Sequence, residues 1–201
     1  MISYPVDGIR KQKMPYITTM KSIGVFCGSS SGSHPAFIEA AVQTGRLLAE
    51  RDITLVYGGG SHGMMGAVAS AALEHGGKVV GIIPGLLVEK EAARRDISEL
   101  IVVGSMQERK AKLMERSDGF IVLPGGVGTM DELFEMMAFV NLGVHRKPSG
   151  ILNTNGFYDG IIAYTDHAAA SGFLRPATRR HLVHASEPSA LLTLMEALHG
   201  Q

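Results

Sequence analysis

Tryptophan is absent from this chain of 201 residues, and all aromatics together make up only 6 % of it. So few aromatic faces disfavour a single-stranded nucleic-acid binder, which stacks bases on them. An excess of either charge is also lacking: 19 Lys and Arg balance 19 Asp and Glu. A nucleic-acid binder normally carries a basic surplus, so no such partner is expected. The single cysteine, Cys27, excludes an internal disulfide framework. His181 and His184 have no cysteine or acidic cluster beside them, so no metal site is expected. Lys90, Lys110 and Lys147 lack the surroundings of a Schiff-base lysine, and no cofactor is called for. No run reaches the ~20 apolar residues that span a bilayer, so no membrane association is expected.

The opening segment, 1–20, mixes Asp7, Arg10, Lys11 and Lys13 with two prolines. It has neither the apolar centre of a secretory signal nor a helix or strand period. It reads as a poorly ordered extension, which makes the cytoplasm the default location. The remainder, 21–201, suits one domain, since domains run to roughly 100–200 residues.

What the chain does have is glycine, 25 residues in all. Between the glycine clusters, short continuous apolar runs alternate with longer helical patterns. The runs at 22–27, 54–57, 78–83, 99–103, 119–123 and 148–152 read as buried strands, with a seventh at 182–185. Helix patterns occupy 35–51 (after a cap at Ser33), 64–75, 106–117, 129–142, 158–171 and 188–198. The charged stretch 85–98 reads as a loop with a helical turn. Strands that are apolar throughout, rather than alternating, belong to sheets covered on both faces. The expected fold is α/β, a doubly wound parallel sheet with helices on both faces. Ligands in such sheets bind beyond the carboxyl ends of the strands, where strand order reverses.

Three strand exits are rich in small residues. The first is Cys27-Gly28-Ser29-Ser30. The second, Gly58-Gly59-Gly60-Ser61-His62-Gly63, matches G-x-G-x-x-G, but the next strand ends without the acid a dinucleotide site needs. Phosphate binding survives there, because glycines let backbone amides approach an anion at a helix start. Tight turns needing no ligand are the competing reading. The third exit, Pro124-Gly125-Gly126-Val127-Gly128-Thr129-Met130-Asp131-Glu132, lacks the Lys-Ser or Lys-Thr of an ATP-hydrolysing loop. Its amides and the Thr129 hydroxyl suit one phosphate monoester. Thr129-x-x-Glu132 also fits a capping box, which needs no ligand.

Arg109, Lys112 and Arg116 share one helix face, and the last two read as solvated. Arg109 and Lys110 sit near a helix start, where the dipole disfavours a cation, which hints at function. Leu133, Phe134, Met136, Met137, Phe139, Val140 and Leu142 exceed what one sheet-facing stripe requires. The surplus is expected to pack on a second copy of the chain.

Several of these stretches carry a family resemblance. VFCGSS at 25–30, Y-G-G-G-S-x-G-x-M-G at 57–66, M-x-x-R-K at 106–110, P-G-G-x-G-T-x-x-E at 124–132 and L-G-x-H-x-K-P at 142–148 resemble the LOG (lonely guy) family, cytokinin riboside 5′-monophosphate phosphoribohydrolases. The older label of that family is "possible lysine decarboxylase". The resemblance implies a Rossmann-like homodimer that hydrolyses the N-glycosidic bond of N6-modified AMP, and of AMP itself. It implies a catalytic pair, Arg109 and Glu132. It implies substrate contacts at Glu91, Arg109, Lys110, Gly126, Val127, Gly128, Thr129, Met130, Asp131 and Glu132. The glycine-loop reading adds Ser29, Gly58, Gly59, Gly60 and Gly125. Plant members carry a substrate-contacting Thr where this chain has Ala138. The alternative on the same fold is a non-catalytic carrier of a nucleotide or of the molybdenum cofactor.

Overall fold

The computed structural model describes residues 20–199. The expected N-terminal extension lies outside the described residues except for Met20, which is buried against Gly119 and the core.

The strands are β1 (Ser22–Phe26), β2 (Thr54–Tyr57), β3 (Val79–Pro84), β4 (Glu99–Val103), β5 (Gly119–Val122), β6 (Ser149–Leu152) and β7 (Leu182–Ala185). They form one seven-stranded sheet in the order β4-β3-β2-β1-β5-β6-β7. Every adjacent pair is parallel, with Val25 opposite both Tyr57 and Ile121 at the centre. Successive strands step outward from β1 to β4. The chain then returns to the other side of β1 and steps outward again from β5 to β7. The reversal lies between β1 and β5.

Helices cover both faces. On one side α1 (Pro35–Glu50), α2 (Gly63–Glu74) and α7 (Pro188–Leu198) bury Leu48, Met64, Val68, Leu191 and Met195 against Ile23, Val25 and Leu55. On the other, α3 (Met106–Glu115), α4 (Val127–Leu142) and the start of α5 (Asp159–Ala170) bury Leu113, Leu133, Met136 and Tyr158 against Phe26, Val56 and Phe120. Adjacent residues of one strand thus enter different cores, which is why the strand runs show no alternation. Each large side chain so buried stabilises the fold by ~1.5–3 kcal/mol.

Three local details differ from expectation. His34, not Ser33, caps α1, its Nδ1 accepting the Ala36 amide at 3.2 Å. A short helix, α6 (Pro176–Arg180), was not expected. Most consequential, α4 begins at Val127, with Gly126 as its cap and no side chain capping it. Thr129 and Glu132 therefore lie inside the helix and form no capping box.

Candidate active site

The exits of β1 and β5 run side by side at the strand-order reversal. The Gly28 amide donates to the Pro124 carbonyl at 3.1 Å and ties them together. Beside this tie opens a cleft of about 300 Å³. Cys27, Gly28 and Ser29 form one wall. Gly126, Val127, Gly128 and Thr129, with Asp131 and Glu132, form the opposite wall. Glu91, Met65, Met106 and Arg109 complete it.

The second wall is the first turn of α4, whose leading amides have no acceptor within the helix. Val127 there is 88 % exposed. A bare helix start with no capping side chain is a natural seat for an anion, because the amide groups and the helix dipole both favour negative charge.

Arg109 comes from α3. Ser105 caps that helix by accepting the Glu108 amide at 3.1 Å, and Glu108 accepts the Gly104 amide at 2.8 Å. This brace aims the following residue, Arg109, under the cleft. Arg109 and Glu132 are each 8 % exposed, and Nη2 of one lies 3.5 Å from Oε1 of the other. Burial pushes the Glu132 carboxyl up to about 7; Arg109 and Lys110 oppose the rise, while Asp131 and Glu91 add to it. A carboxylate with such a value exchanges protons readily near neutrality. Burial and the nearby Glu132 charge push the Cys27 thiol up, so it stays protonated. Arg109 Nε and Glu91 Oε2 are buried with no hydrogen-bond partner among the described residues. Orphaned polar atoms are rare in folded interiors, and two of opposite character facing one cleft suit a polar ligand.

Glu91 is held by a latch. Ser61 donates its amide to the Glu91 carbonyl at 3.2 Å and its hydroxyl to that of Ala92 at 2.5 Å. Arg94 donates to the Gly66 carbonyl and the Ser70 hydroxyl on α2, and its own amide reaches the Gly59 carbonyl at 2.9 Å. The segment that carries Glu91 is thereby fastened to the second glycine loop.

A second, mostly apolar space of about 330 Å³ adjoins the cleft, with Gly28, Ser29 and Gly126 lining both. Gly125, Phe37, Met64 and Phe157 also line it. Phe37 and Phe157 meet edge-on at 5.5 Å. Phe157 is set in place by its neighbour Tyr158, whose hydroxyl donates to the Leu123 carbonyl at 2.8 Å.

Some expected site residues lie elsewhere. Gly58, Gly59 and Gly60 do not line the cleft. A Cβ on Gly58 would collide with Arg109 Nη2, and one on Gly60 would press on Met65. These glycines make room for the side chains around the cleft. Met130 faces the core formed with α3, and Ala138 lies in a groove on the outer side of α4. Lys110 does not line the cleft; its ammonium lies on the flank, 3.2 Å from Asp131 and 3.1 Å from Glu135. Met106, Phe37 and Phe157 were not anticipated; Met106 stood in M-x-x-R-K, but no pattern marked Phe37, seven residues past Ser30, or the distant Phe157 as lining the site.

Among the described residues no group of three His, Cys, Asp or Glu could hold a metal ion, and no helix is long and apolar enough to cross a membrane.

An all-parallel sheet with helices on both faces and a cleft at the strand-order reversal defines a doubly wound α/β protein. Within that class, residues 65–195 match the family described as "possible lysine decarboxylase", and the chain belongs to that family. A cytokinin riboside 5′-monophosphate phosphoribohydrolase of Arabidopsis thaliana is 47 % identical over 177 residues, spanning 88 % of this chain and 81 % of its own. A protein of Oryza sativa subsp. japonica described as a probable cytokinin riboside 5′-monophosphate phosphoribohydrolase is 46 % identical over 176 residues, spanning 88 % and 78 %. Among solved structures, the molybdenum cofactor binding protein from Rippkaea orientalis superposes with a TM-score of 0.66 at 23 % identity, over 90 % of this chain and 98 % of that one. That likeness is one of fold alone.

Proposed function

We propose that this protein hydrolyses the N-glycosidic bond of N6-substituted AMP, a cytokinin riboside 5′-monophosphate, and of AMP, releasing the free base and ribose 5-phosphate. The observation that carries the reading is the buried Arg109–Glu132 pair beside an uncapped helix start in one cleft. Kinship with the plant phosphoribohydrolases supports it.

In this reading the 5′-phosphate sits on the amides of Gly126, Val127, Gly128 and Thr129. That anchors the ribose against Glu132 and Arg109. Water attacks C1′, the C1′–N9 bond breaks, and its electron pair leaves with the base, which takes up a proton. The Glu132 carboxylate accepts the proton of the attacking water and faces the positive charge that develops on the sugar. Arg109 keeps enough of Glu132 ionised for this work. The orphaned Glu91 Oε2 accepts a hydrogen bond from the substrate. The apolar space lined by Phe37, Met64 and Phe157 suits a purine and its apolar N6 group.

The reading carries with it a cytoplasmic homodimer. An outer groove between α4 and α5, lined by Phe134, Met137, Tyr164 and Phe173, offers apolar surface for a second copy. The decarboxylase wording has no counterpart, since among the described residues no lysine lines the cleft to offer an amine.

The test is to incubate the protein with AMP, N6-isopentenyl-AMP and the matching nucleosides and to separate the products by chromatography. Base should be released from the monophosphates with kcat/KM at least ~100-fold above the nucleosides, because the phosphate anchor supplies the positioning. Absence of base from every substrate would overturn the proposal, and binding without release would instead mark a carrier.

A further inference from the structure

We propose that Lys110 is a positioning residue of the Arg109–Glu132 pair: by bridging Asp131 and Glu135 it locks α3 against α4 and offsets the charge next to Glu132. The inference rests on the hydrolase reading of that pair.

Arg109 and Lys110 are consecutive on α3, and Asp131 and Glu132 are consecutive on α4. Neighbours on a helix project about 100° apart, so the two helices meet twice. Arg109 reaches Glu132 inside the cleft, and Lys110 reaches Asp131 on its flank. Glu135 follows Asp131 by one turn on the same face, so Lys110 lies between two acids. Its side chain is only 16 % exposed; Lys110 meets Glu135 Oε1, and Glu135 Oε2 is buried with no hydrogen-bond partner among the described residues. An ammonium held this way is not free to meet a phosphate in the cleft. Burial alone would lower its pKa, yet the bonds to Glu135 and Asp131 outweigh burial and hold it above the usual lysine value.

The groups that face Glu132 are Arg109 and Lys110 from α3, Asp131 from α4, Glu91 from the latched segment and the Cys27 thiol from the end of β1. Arg109 and Lys110 favour the carboxylate; Asp131 and Glu91 oppose it. Losing Lys110 removes one favourable charge and leaves Asp131 uncompensated. Both changes drive Glu132 toward its protonated form.

The experiment compares wild type, Lys110→Met, Lys110→Arg, Asp131→Asn and the Lys110→Met/Asp131→Asn double variant. Two readouts are taken: the pH profile of kcat/KM with AMP, and the Glu132 titration by NMR of carboxyl-labelled glutamate, assigned with Glu132→Gln. Lys110→Met should move the acid limb and the NMR midpoint up by about one pH unit. KM should change less than ~3-fold, while Lys110→Arg and the double variant should return the midpoint toward wild type. A KM raised ~10-fold or more with an unmoved midpoint would overturn the proposal and make Lys110 a substrate contact. If Lys110→Met does not fold, Asp131→Asn still decides, since it should lower the midpoint and an unmoved one refutes the coupling. The NMR titration needs no turnover. Wild-type base release judges the hydrolase reading separately from the role of Lys110.

Discussion

The Arg109 guanidinium fills the space that any side chain at position 58 would need, because a Cβ on Gly58 would collide with Nη2. Gly58 lies outside the left-handed region, so alanine can adopt its backbone without strain. Gly58→Ala should therefore leave the circular dichroism spectrum intact while pushing Arg109 off Glu132. The expected loss in kcat is on the order of 10–100-fold, the cost of misplacing a catalytic group by about an ångström. An alanine variant with wild-type kcat would show that Arg109 does not need its present place.

Glu132→Gln separates chemistry from structure cleanly, because Gly126 and not Thr129 caps α4. The substitution removes no cap, so helix and fold should persist. kcat should fall ~100-fold or more if the carboxylate faces the reacting sugar. Rapid hydrolysis by the Gln enzyme would return Glu132 to a packing role and leave Asp131 as the next acid to test.

The same residue makes stability depend on pH. Its carboxyl is raised from 4.5 to about 7 by burial, so between those values the folded chain holds a proton that the unfolded chain has released. Its contribution is complete below pH 4.5 and is lost as pH rises through about 7. Urea unfolding at pH 5 and pH 8 should show wild type losing stability across this window and Glu132→Gln losing less. Parallel losses would mean that Glu132 ionises as freely as in water.

Arg94 anchors the segment that carries Glu91 to α2 through Gly66 and Ser70. Arg94→Met should loosen it. KM for AMP should rise ~10-fold with a smaller change in kcat, the pattern of lost binding rather than lost chemistry. Amide exchange in residues 88–96 should quicken alongside. Unchanged exchange would show that Ser61 holds the segment without Arg94.

Phe173 is 90 % exposed beside the groove of Phe134 and Tyr164. Light scattering should give twice the chain mass at micromolar concentration, and Phe173→Glu should shift it toward the monomer by placing a charge in an apolar contact. A monomer in both cases would leave the groove without this use.

Strand positions and the parallel sheet were legible because buried strands leave continuous apolar runs, as in Gly119–Val122. The short α6 was not, since Pro176–Arg180 is too brief to show a period. In the candidate site, the exits at Gly28 and Gly126 were readable from local composition. The start of α4 was misread because Thr129-x-x-Glu132 imitates a cap that Gly126 supplies three residues earlier. Gly58 looked like a phosphate loop because its true neighbour, Arg109, is distant in the chain and no local pattern links the two. Lys110 beside Arg109 suggested a shared target, whereas the helix turn sends them to different acids.

Met64 and Met65 reach the two spaces from α2, on one face of the sheet, whereas Arg109 and Glu132 reach the cleft from α3 and α4 on the other. In the proposed function a bound nucleotide is then a cross-brace spanning both helical layers over the sheet's end. Its grip is shared by the two cores on opposite faces of the sheet. Filling the site should stiffen the whole body rather than one loop, so that ligand saturation raises the melting temperature as a single cooperative step.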